Sequence, residues 1–338
     1  MLKLENLKIS YSTTEGTIKA VDGVSVELTR GDNLGLIGES GCGKSTIVKS
    51  LFGLLERNGR IDGGAIYFEN LDLTQIDPRE LKRLLWDRIS LIPQASMNSL
   101  NPVYKISSQI MEAIELHRKD ARREKARYRL KMKEYFALMG LDSDRIDQYP
   151  HQFSGGMAQR ATIALAMILD PVLIVADEPT TALDVIMQDQ ILKNFLDMRE
   201  KFNSSLLLVT HDISIVSEIC DYVTVMYAGK FVEYGTRRMI FKEPLHPYTM
   251  GLINAFPKIE TSKKRLVSIP GIPPNLMLTL SGCRFKERCP FRLEVCEREP
   301  ALEERAVIGH LVACHRAIEA QNLRPLSEDP ATWGMKKL

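Results

Sequence analysis

Nine consecutive residues, Gly38-Glu39-Ser40-Gly41-Cys42-Gly43-Lys44-Ser45-Thr46, constrain this chain more than any other feature, because they fit the phosphate-binding pattern G-x-x-x-x-G-K-[ST] at every fixed position. The run before them, Asn33-Leu34-Gly35-Leu36-Ile37, reads as a short buried strand, and Ile47 to Phe52 opens a helix. Glycine at 38, 41 and 43 lets the backbone turn tightly and aim N–H groups at phosphate oxygens, beside the positive end of the following helix. Lys44 then meets the β- and γ-phosphates, the Ser45 hydroxyl holds Mg²⁺, and Ser40 and Thr46 belong to the same cradle. A glycine-rich turn capping a helix shows the same letters, so a second motif has to decide.

That motif is Leu173-Ile174-Val175-Ala176-Asp177-Glu178, an apolar run ending abruptly in two carboxylates. Buried parallel strands read as continuously apolar, and the ligands of open α/β sheets gather at the strands' carboxyl ends. Asp177 is therefore expected beside Mg²⁺, and Glu178 is expected to polarise a water for attack on the γ-phosphate. Alone, such a run reads as a structural strand end; paired with the Gly38 to Ser45 loop, the catalytic reading prevails.

Between the two lies Phe153-Ser154-Gly155-Gly156-Met157-Ala158-Gln159-Arg160, leading into the apolar segment Ala161 to Leu169. With Ser-Gly-Gly at a helix start shortly before the Asp-Glu strand, the chain resembles the ATP-binding cassette (ABC) family. Gln94 after Ile89 to Ile92 is similar to the family's Q-loop glutamine, Thr181-Ala182-Leu183-Asp184 to its D-loop, and His211 after Leu206 to Thr210 to its switch histidine. The resemblance implies that Ser154, Gly155 and Gly156 bind ATP, that Gln94 joins Ser45 and Asp177 at Mg²⁺, and that Gln94, His211 and Asp184 sense the γ-phosphate and the partner. Tyr11 is expected to stack on adenine, with ordinary packing of the N-terminal strand as the alternative.

The resemblance narrows to the ATPases of dipeptide and oligopeptide permeases on Gln94-Ala95-Ser96-Met97-Asn98-Ser99-Leu100-Asn101-Pro102, Gln152 to Met157 and His246-Pro247-Tyr248-Thr249. Met157 departs from the glutamine usual in cassettes at large, yet methionine is common in this subfamily, and the Ser154 hydroxyl and the Gly155 and Gly156 amides are kept. The implied fold is α/β: a P-loop NTPase of the ABC type with a mixed central sheet, an antiparallel N-terminal subdomain and a helical subdomain at about 96–160. The cassette would occupy 1–235 and a small C-terminal extension 236–338. After Gly235 the texture changes, with ten of the 16 prolines and four of the 6 cysteines. This tail has little apolar periodicity with which to build a core of its own.

The late cysteines, Cys283, Cys289, Cys296 and Cys314, have the spacing C-x5-C-x6-C-x17-C. Spacing alone leaves open a metal or cluster site and unbound buried thiols, and the tight C-x2-C pair usual for zinc is missing. The family resemblance implies a [4Fe–4S] cluster with a structural role. His310 and His315 could substitute as ligands there, but lone histidines read more readily as surface or capping residues, and Cys220 reads as part of a helix.

With 338 residues, 44% hydrophobic and 26% charged, the chain can build a large core, and its net charge of +2 argues against wholesale nucleic-acid binding. Arg118 to Lys133 carries nine basic residues against Asp120 and Glu124, but Tyr128 is its only aromatic, so it reads as a solvated helix face. Met1 to Leu7 alternates like a strand rather than a signal peptide. No run reaches about 18 apolar residues, the segment Ala161 to Ala176 being broken by Asp170-Pro171.

The resemblance thus implies a peripheral subunit at the cytoplasmic face of the cell membrane, powering an importer for peptides, with nickel or short sugars as alternative cargo. Its partners would be a second ATPase subunit, identical or homologous, two transmembrane permease subunits and an extracytoplasmic substrate-binding protein. The loop at Gly38 to Ser45 of one ATPase would be completed by Ser154 to Gly156 of the other. A soluble cassette ATPase of repair or ribosome type is the competing class. It would need a long coiled coil inside the cassette or two cassettes, whereas here 59 residues separate Gln94 from Ser154 and each motif occurs once.

Overall fold

The computed structural model describes residues 1–94, 99–179, 188, 192–193, 195–197, 201–256, 267–305 and 307–334. Ala95 to Asn98 and the whole segment Thr181 to Asp184 lie outside the described residues. The chain divides into two compact units, one of residues 1–28, 33–74 and 210–338, the other of 29–32 and 75–209.

The first unit opens with the antiparallel pair β1 (Leu2–Thr13) and β2 (Gly16–Leu28). In β1, Leu2, Leu4, Leu7 and Ile9 are buried, and irregular register around Leu7 shifts the alternation by one residue, as a bulge does. β3 (Asn33–Ile37) is buried throughout and feeds the phosphate loop and α1 (Lys44–Leu51). β4 (Gly59–Phe68) and β5 (Leu71–Asp72) complete an antiparallel sheet of order β2-β1-β4-β5.

The chain then builds the second unit: α2 (Pro78–Leu84), β6 (Ile89–Ile92), α3 (Ile106–His117), α4 (Lys125–Leu138), α5 (Gly155–Met167), β7 (Leu173–Asp177) and β8 (Ser205–Thr210). β6, β7 and β8 pair in parallel, and their continuous apolar character follows from burial on both faces. On α4, Tyr128, Met132, Tyr135 and Phe136 are buried at helical spacing. The basic residues between them find carboxylates of the same unit: Lys131 reaches Asp170 at 2.7 Å, Lys133 reaches Asp144 at 2.6 Å, and Arg129 pairs with Asp147. The basic run is thus largely compensated within the second unit.

Returning to the first unit, the chain forms α6 (Ile213–Ile219), β9 (Tyr222–Tyr227), β10 (Lys230–Thr236), α7 (Arg237–Lys242), α8 (Pro247–Asn254), β11 (Glu303–Glu304), β12 (Leu311–Val312) and α9 (Ala320–Ser327). Cys220 caps the end of α6 instead of lying inside it. β9 runs parallel to β3, β10 antiparallel to β9, and β12 of the tail adds antiparallel to β10 through Glu233 and Tyr234. The late segment therefore extends the sheet that carries β3, β9 and β10. It also has an apolar core, of Leu245, Met250, Phe291, Val312, Ala317, Ala320 and Leu323 packed with Cys289 and Cys314. These residues come from loops and short elements, which is why no periodicity announces them.

A buried polar knot fastens this tail to β10. The Glu233 carboxylate, fully buried, accepts the N–H groups of Leu245 at 2.7 Å and His246 at 3.0 Å and bonds His310 Nε2 at 2.8 Å. His310, expected as a surface or capping residue, is 1% exposed. His246 caps α8, its Nδ1 accepting the Tyr248 N–H at 3.0 Å. Burial pushes the His246 pKa down to about 4, against a raising influence of Glu233. Since the folded state refuses a proton that the unfolded state takes up below an ordinary pKa of about 6.5, this histidine stabilises the fold above that value and loses its contribution as pH falls toward 4. His246→Asn keeps a capping acceptor without a titrating ring. Urea unfolding at about pH 7 and about pH 5 should show the native chain losing about 2 kcal/mol more than this variant; equal losses would dissociate His246 from the acid response.

Candidate nucleotide site

In the first unit the phosphate loop is built on close backbone approach. A Cβ on Gly38 would stand 2.2 Å from the Met226 carbonyl oxygen, and one on Gly43, the N-cap of α1 at φ 113°, would stand 2.3 Å from that of Ala20. Glycine is required at both by crowding and backbone angle together. Gly41 also has positive φ, 79°, but no atom lies within 4 Å of its absent Cβ. Lys44 is buried, and its Nζ donates to the carbonyls of Gly38 at 2.7 Å and Glu39 at 2.9 Å. Ser40, Gly41 and Ser45 are exposed on the loop, with Thr46 half-buried behind them. Tyr11 is half-buried on β1, its ring over Gly59, whose added Cβ would be 2.7 Å from Tyr11 Cε1. His211 follows β8 directly and is exposed.

The second unit brings the carboxylate motif and the Q-loop glutamine together. Asp177 ends β7, still in register with Val209. Glu178 follows in a left-handed conformation, φ 48°, its N–H donating to the Val209 carbonyl at 2.7 Å. Such a backbone is uncommon for glutamate and concentrates at functional positions. Gln94 Nε2 donates to Glu178 Oε2 at 2.6 Å. Ser154 caps α5, its Oγ accepting the Met157 N–H at 3.4 Å, while the side chain itself remains exposed. A Cβ on Gly155 would meet nothing within 4 Å, so packing within this unit does not call for glycine there. Gln159, unnoticed as a separate feature of the sequence, is 2% exposed and donates to the Pro179 carbonyl at 2.5 Å, tying the Ser154 helix to the residue after Glu178. Asp184 lies outside the described residues.

The four late cysteines converge in the tail. The Cys283 N–H donates to the Cys296 carbonyl at 2.9 Å, Cys314 Sγ accepts the Arg316 N–H at 3.4 Å, and Cys289 packs on the core that contains Cys314. Burial raises the thiol pKa of Cys283 and pushes those of Cys289 and Cys314 up to about 12, with further upward contributions from the neighbouring cysteines. Backbone N–H groups pull the other way at all three. Among the described residues no group of three or more His, Cys, Asp or Glu is placed to hold a metal ion. His315 bonds the Arg298 carbonyl at 2.9 Å.

The ABC transporter family matches residues 21–181, and the family of the oligopeptide/dipeptide transporter C-terminal region matches residues 232–296. The oligopeptide transport ATP-binding protein OppD of Escherichia coli (strain K12) is 41% identical over 94% of both chains. This chain belongs to the ABC transporter family. The dipeptide transport ATP-binding protein DppD of Bacillus subtilis (strain 168) is 42% identical, over 93% of this chain and 94% of its own. Among solved structures, the dimeric post-hydrolysis state of the ATP-binding cassette MJ0796 bound to ADP and Pi matches 70% of this chain and 99% of its own, with a TM-score of 0.59 and 26% identity. The ABC fold expected from the motifs is thereby established, and with it an ATP-hydrolysing transporter subunit. No helix among the described residues is long and apolar enough to cross a membrane.

The crowding of this ABC phosphate loop separates its glycines. Gly38→Ala and Gly43→Ala should each weaken binding of a fluorescent ATP analogue by at least about ten-fold and lower the melting temperature. Gly41→Ala, burdened only by its left-handed backbone at roughly 1 kcal/mol, should melt closer to the native chain. A Gly43→Ala protein that binds and melts like the native one would remove crowding as the reason for that glycine.

Proposed function

We propose that this chain is the ATP-hydrolysing subunit of an importer for di- or oligopeptides, peripheral at the cytoplasmic face of the membrane. The observation that carries the reading is the joint presence of a cassette and a tail of the oligopeptide/dipeptide type in one chain. Relatives named as oligopeptide and dipeptide transport ATP-binding proteins match this chain nearly end to end. Its partners would be a second ATPase subunit, two transmembrane permease subunits and an extracytoplasmic binding protein. The cassette would run to about residue 235, with its helical subdomain at about 96–160, and the extension would follow.

In this reading the amides from Gly38 to Thr46 and Lys44 hold the ATP phosphates and Tyr11 takes the adenine. Mg²⁺ calls for hard oxygen ligands, and the Ser45 hydroxyl, the Asp177 carboxylate and the Gln94 amide oxygen are such a set; bound there, the ion would neutralise phosphate charge. Glu178 accepts a proton from the attacking water, with Gln94 fixing its carboxylate at 2.6 Å. His211 and Asp184 monitor the γ-phosphate and the second subunit. The exposed Ser154 cap and the unobstructed Gly155 suit a phosphate arriving from a partner's loop, which makes ATP the adhesive of a dimer whose closure drives the permease. Glu178→Gln should keep ATP binding, lose at least about 100-fold in turnover and accumulate as an ATP-dependent dimer with its ATPase partner, whereas Lys44→Ala should lose binding itself. Phosphate release, radiolabelled ATP retention and size-exclusion chromatography separate the two variants. Native turnover by Glu178→Gln would sink its role as base.

The four cysteines are proposed to hold a [4Fe–4S] cluster. Four thiols are the number a [4Fe–4S] cluster takes, and backbone N–H donors at Cys283, Cys289 and Cys314 suit a cluster whose sulfurs are hydrogen-bonded. Bound there, the cluster would cross-link the tail. Protein purified without oxygen should be brown with about four irons per chain, and Cys289→Ser should remove the colour and expose the tail beyond Gly235 to protease. Zinc in place of iron, or neither metal with an equally resistant tail, would return these residues to zinc ligands or buried thiols.

A further inference from the structure

The segment Cys283-Arg284-Phe285-Lys286-Glu287-Arg288-Cys289 lies against the phosphate loop, within the first unit. Arg288 makes the central contact. Its Nη1 donates to Glu39 Oε2 at 2.6 Å and its Nη2 to Glu39 Oε1 at 2.9 Å, the two-pronged match of guanidinium to carboxylate. Nε donates to the Pro270 carbonyl at 2.8 Å, and the guanidinium lies 5.7 Å from the Tyr227 ring centre and 5.9 Å from that of Phe285. Only 7% of the Arg288 side chain is exposed. A second tail residue holds the same loop position, because the Glu39 N–H donates to the Tyr248 hydroxyl at 2.9 Å. Further round the loop, Arg284 donates to the Ala228 carbonyl, and the next N–H, of Gly229, donates to the Cys42 carbonyl at 2.9 Å.

Glu39 is a carboxylate inside a loop read as the seat of a polyanion. Left unpaired it would repel the triphosphate and be free to turn toward the amides that should receive it. We propose that Arg288 is a positioning residue of the nucleotide site: by neutralising and anchoring Glu39 it keeps the loop amides open to the triphosphate and makes ATP affinity depend on the cysteine-bearing tail. The inference rests on the reading of Gly38 to Thr46 as the phosphate site.

The test is a cycle in the full chain assembled with its partners, read as the Kd of a fluorescent ATP analogue, as KM against kcat, and as melting temperature. Arg288→Met should weaken binding about ten-fold and raise KM more than it lowers kcat. Glu39→Gln alone should bind about two-fold tighter or more, and the double variant should return to within about three-fold of the native Kd, since the charge that needed neutralising has gone. Arg288→Lys should fall between, keeping charge without the fork. A brace that serves folding alone would lower the melting temperature without this charge-dependent rescue. Arg288→Met that folds and binds like the native chain, or a double variant as weak as Arg288→Met, overturns the proposal; should Arg288→Met fail to fold, Glu39→Gln that binds no tighter overturns it. Lys44→Ala with native affinity would instead overturn the reading of the loop, a separable failure.

Discussion

The constraint on which the nucleotide site depends is the absence of two methyl groups. At Gly38 and Gly43 the phosphate loop runs against the carbonyls of Met226 and Ala20, at separations that no Cβ tolerates. The loop is thereby wedged between the end of β9 and β2, and its amides acquire a direction without side chains to steer them. A nest of N–H groups binds phosphate only when those groups converge, so this crowding is what turns a flexible glycine-rich stretch into a receptor. Lys44, folded onto the carbonyls of Gly38 and Glu39, closes the same turn from within.

From that wedge the rest of the first unit follows outward. β9 carries Met226 to the loop, the adjoining Ala228-Gly229 turn bonds Cys42, and β10 returns to the buried carboxylate of Glu233, where the tail is tied on by Leu245, His246 and His310. His246 caps the helix whose Tyr248 reaches Glu39, so the knot at Glu233 and the phosphate loop are joined by consecutive short bonds. Tyr227, Tyr248 and Phe285 fill the space between, with ring centres 4.6 to 5.3 Å apart. A tail attached in this way can influence nucleotide handling without touching nucleotide. In the second unit the corresponding economy is the left-handed Glu178, which lets one strand end present Asp177 and, a single residue later, turn a carboxylate to Gln94.

Much of the cassette was legible in the sequence because its signals are local. A parallel strand buried on both faces is apolar at nearly every position, so Ile89–Ile92, Leu173–Asp177 and Ser205–Thr210 could be read from their apolar runs, with Ser90, Ser205 and Thr210 among the polar exceptions inside and at the ends. The phosphate loop and the Ser154 cap are likewise spelled by contiguous residues. The cysteine segment was visible as a spacing but its surroundings were not, for the core around Cys289 and Cys314 is assembled from scattered residues with no common period. His310 was misplaced for the same kind of reason: its partner, Glu233, lies 77 residues away.

What the sequence by itself determined was the chemistry available: a phosphate cradle, paired carboxylates at a strand end, a serine-capped helix and four cysteines in a proline-rich tail. Each is set by residue type at fixed short spacing, which local backbone geometry enforces in any context. The tertiary structure alone decided which of these groups meet. Glu39 occupies a position where the motif accepts any residue, and Arg288 belongs to no motif read from the sequence; they stand 249 residues apart. Their pairing exists only because β12 joins the edge of β10 and carries the tail into the same unit as the phosphate loop. Burial of the Arg288 guanidinium then makes it require the half-buried carboxylate, a demand that no stretch of extended chain can express.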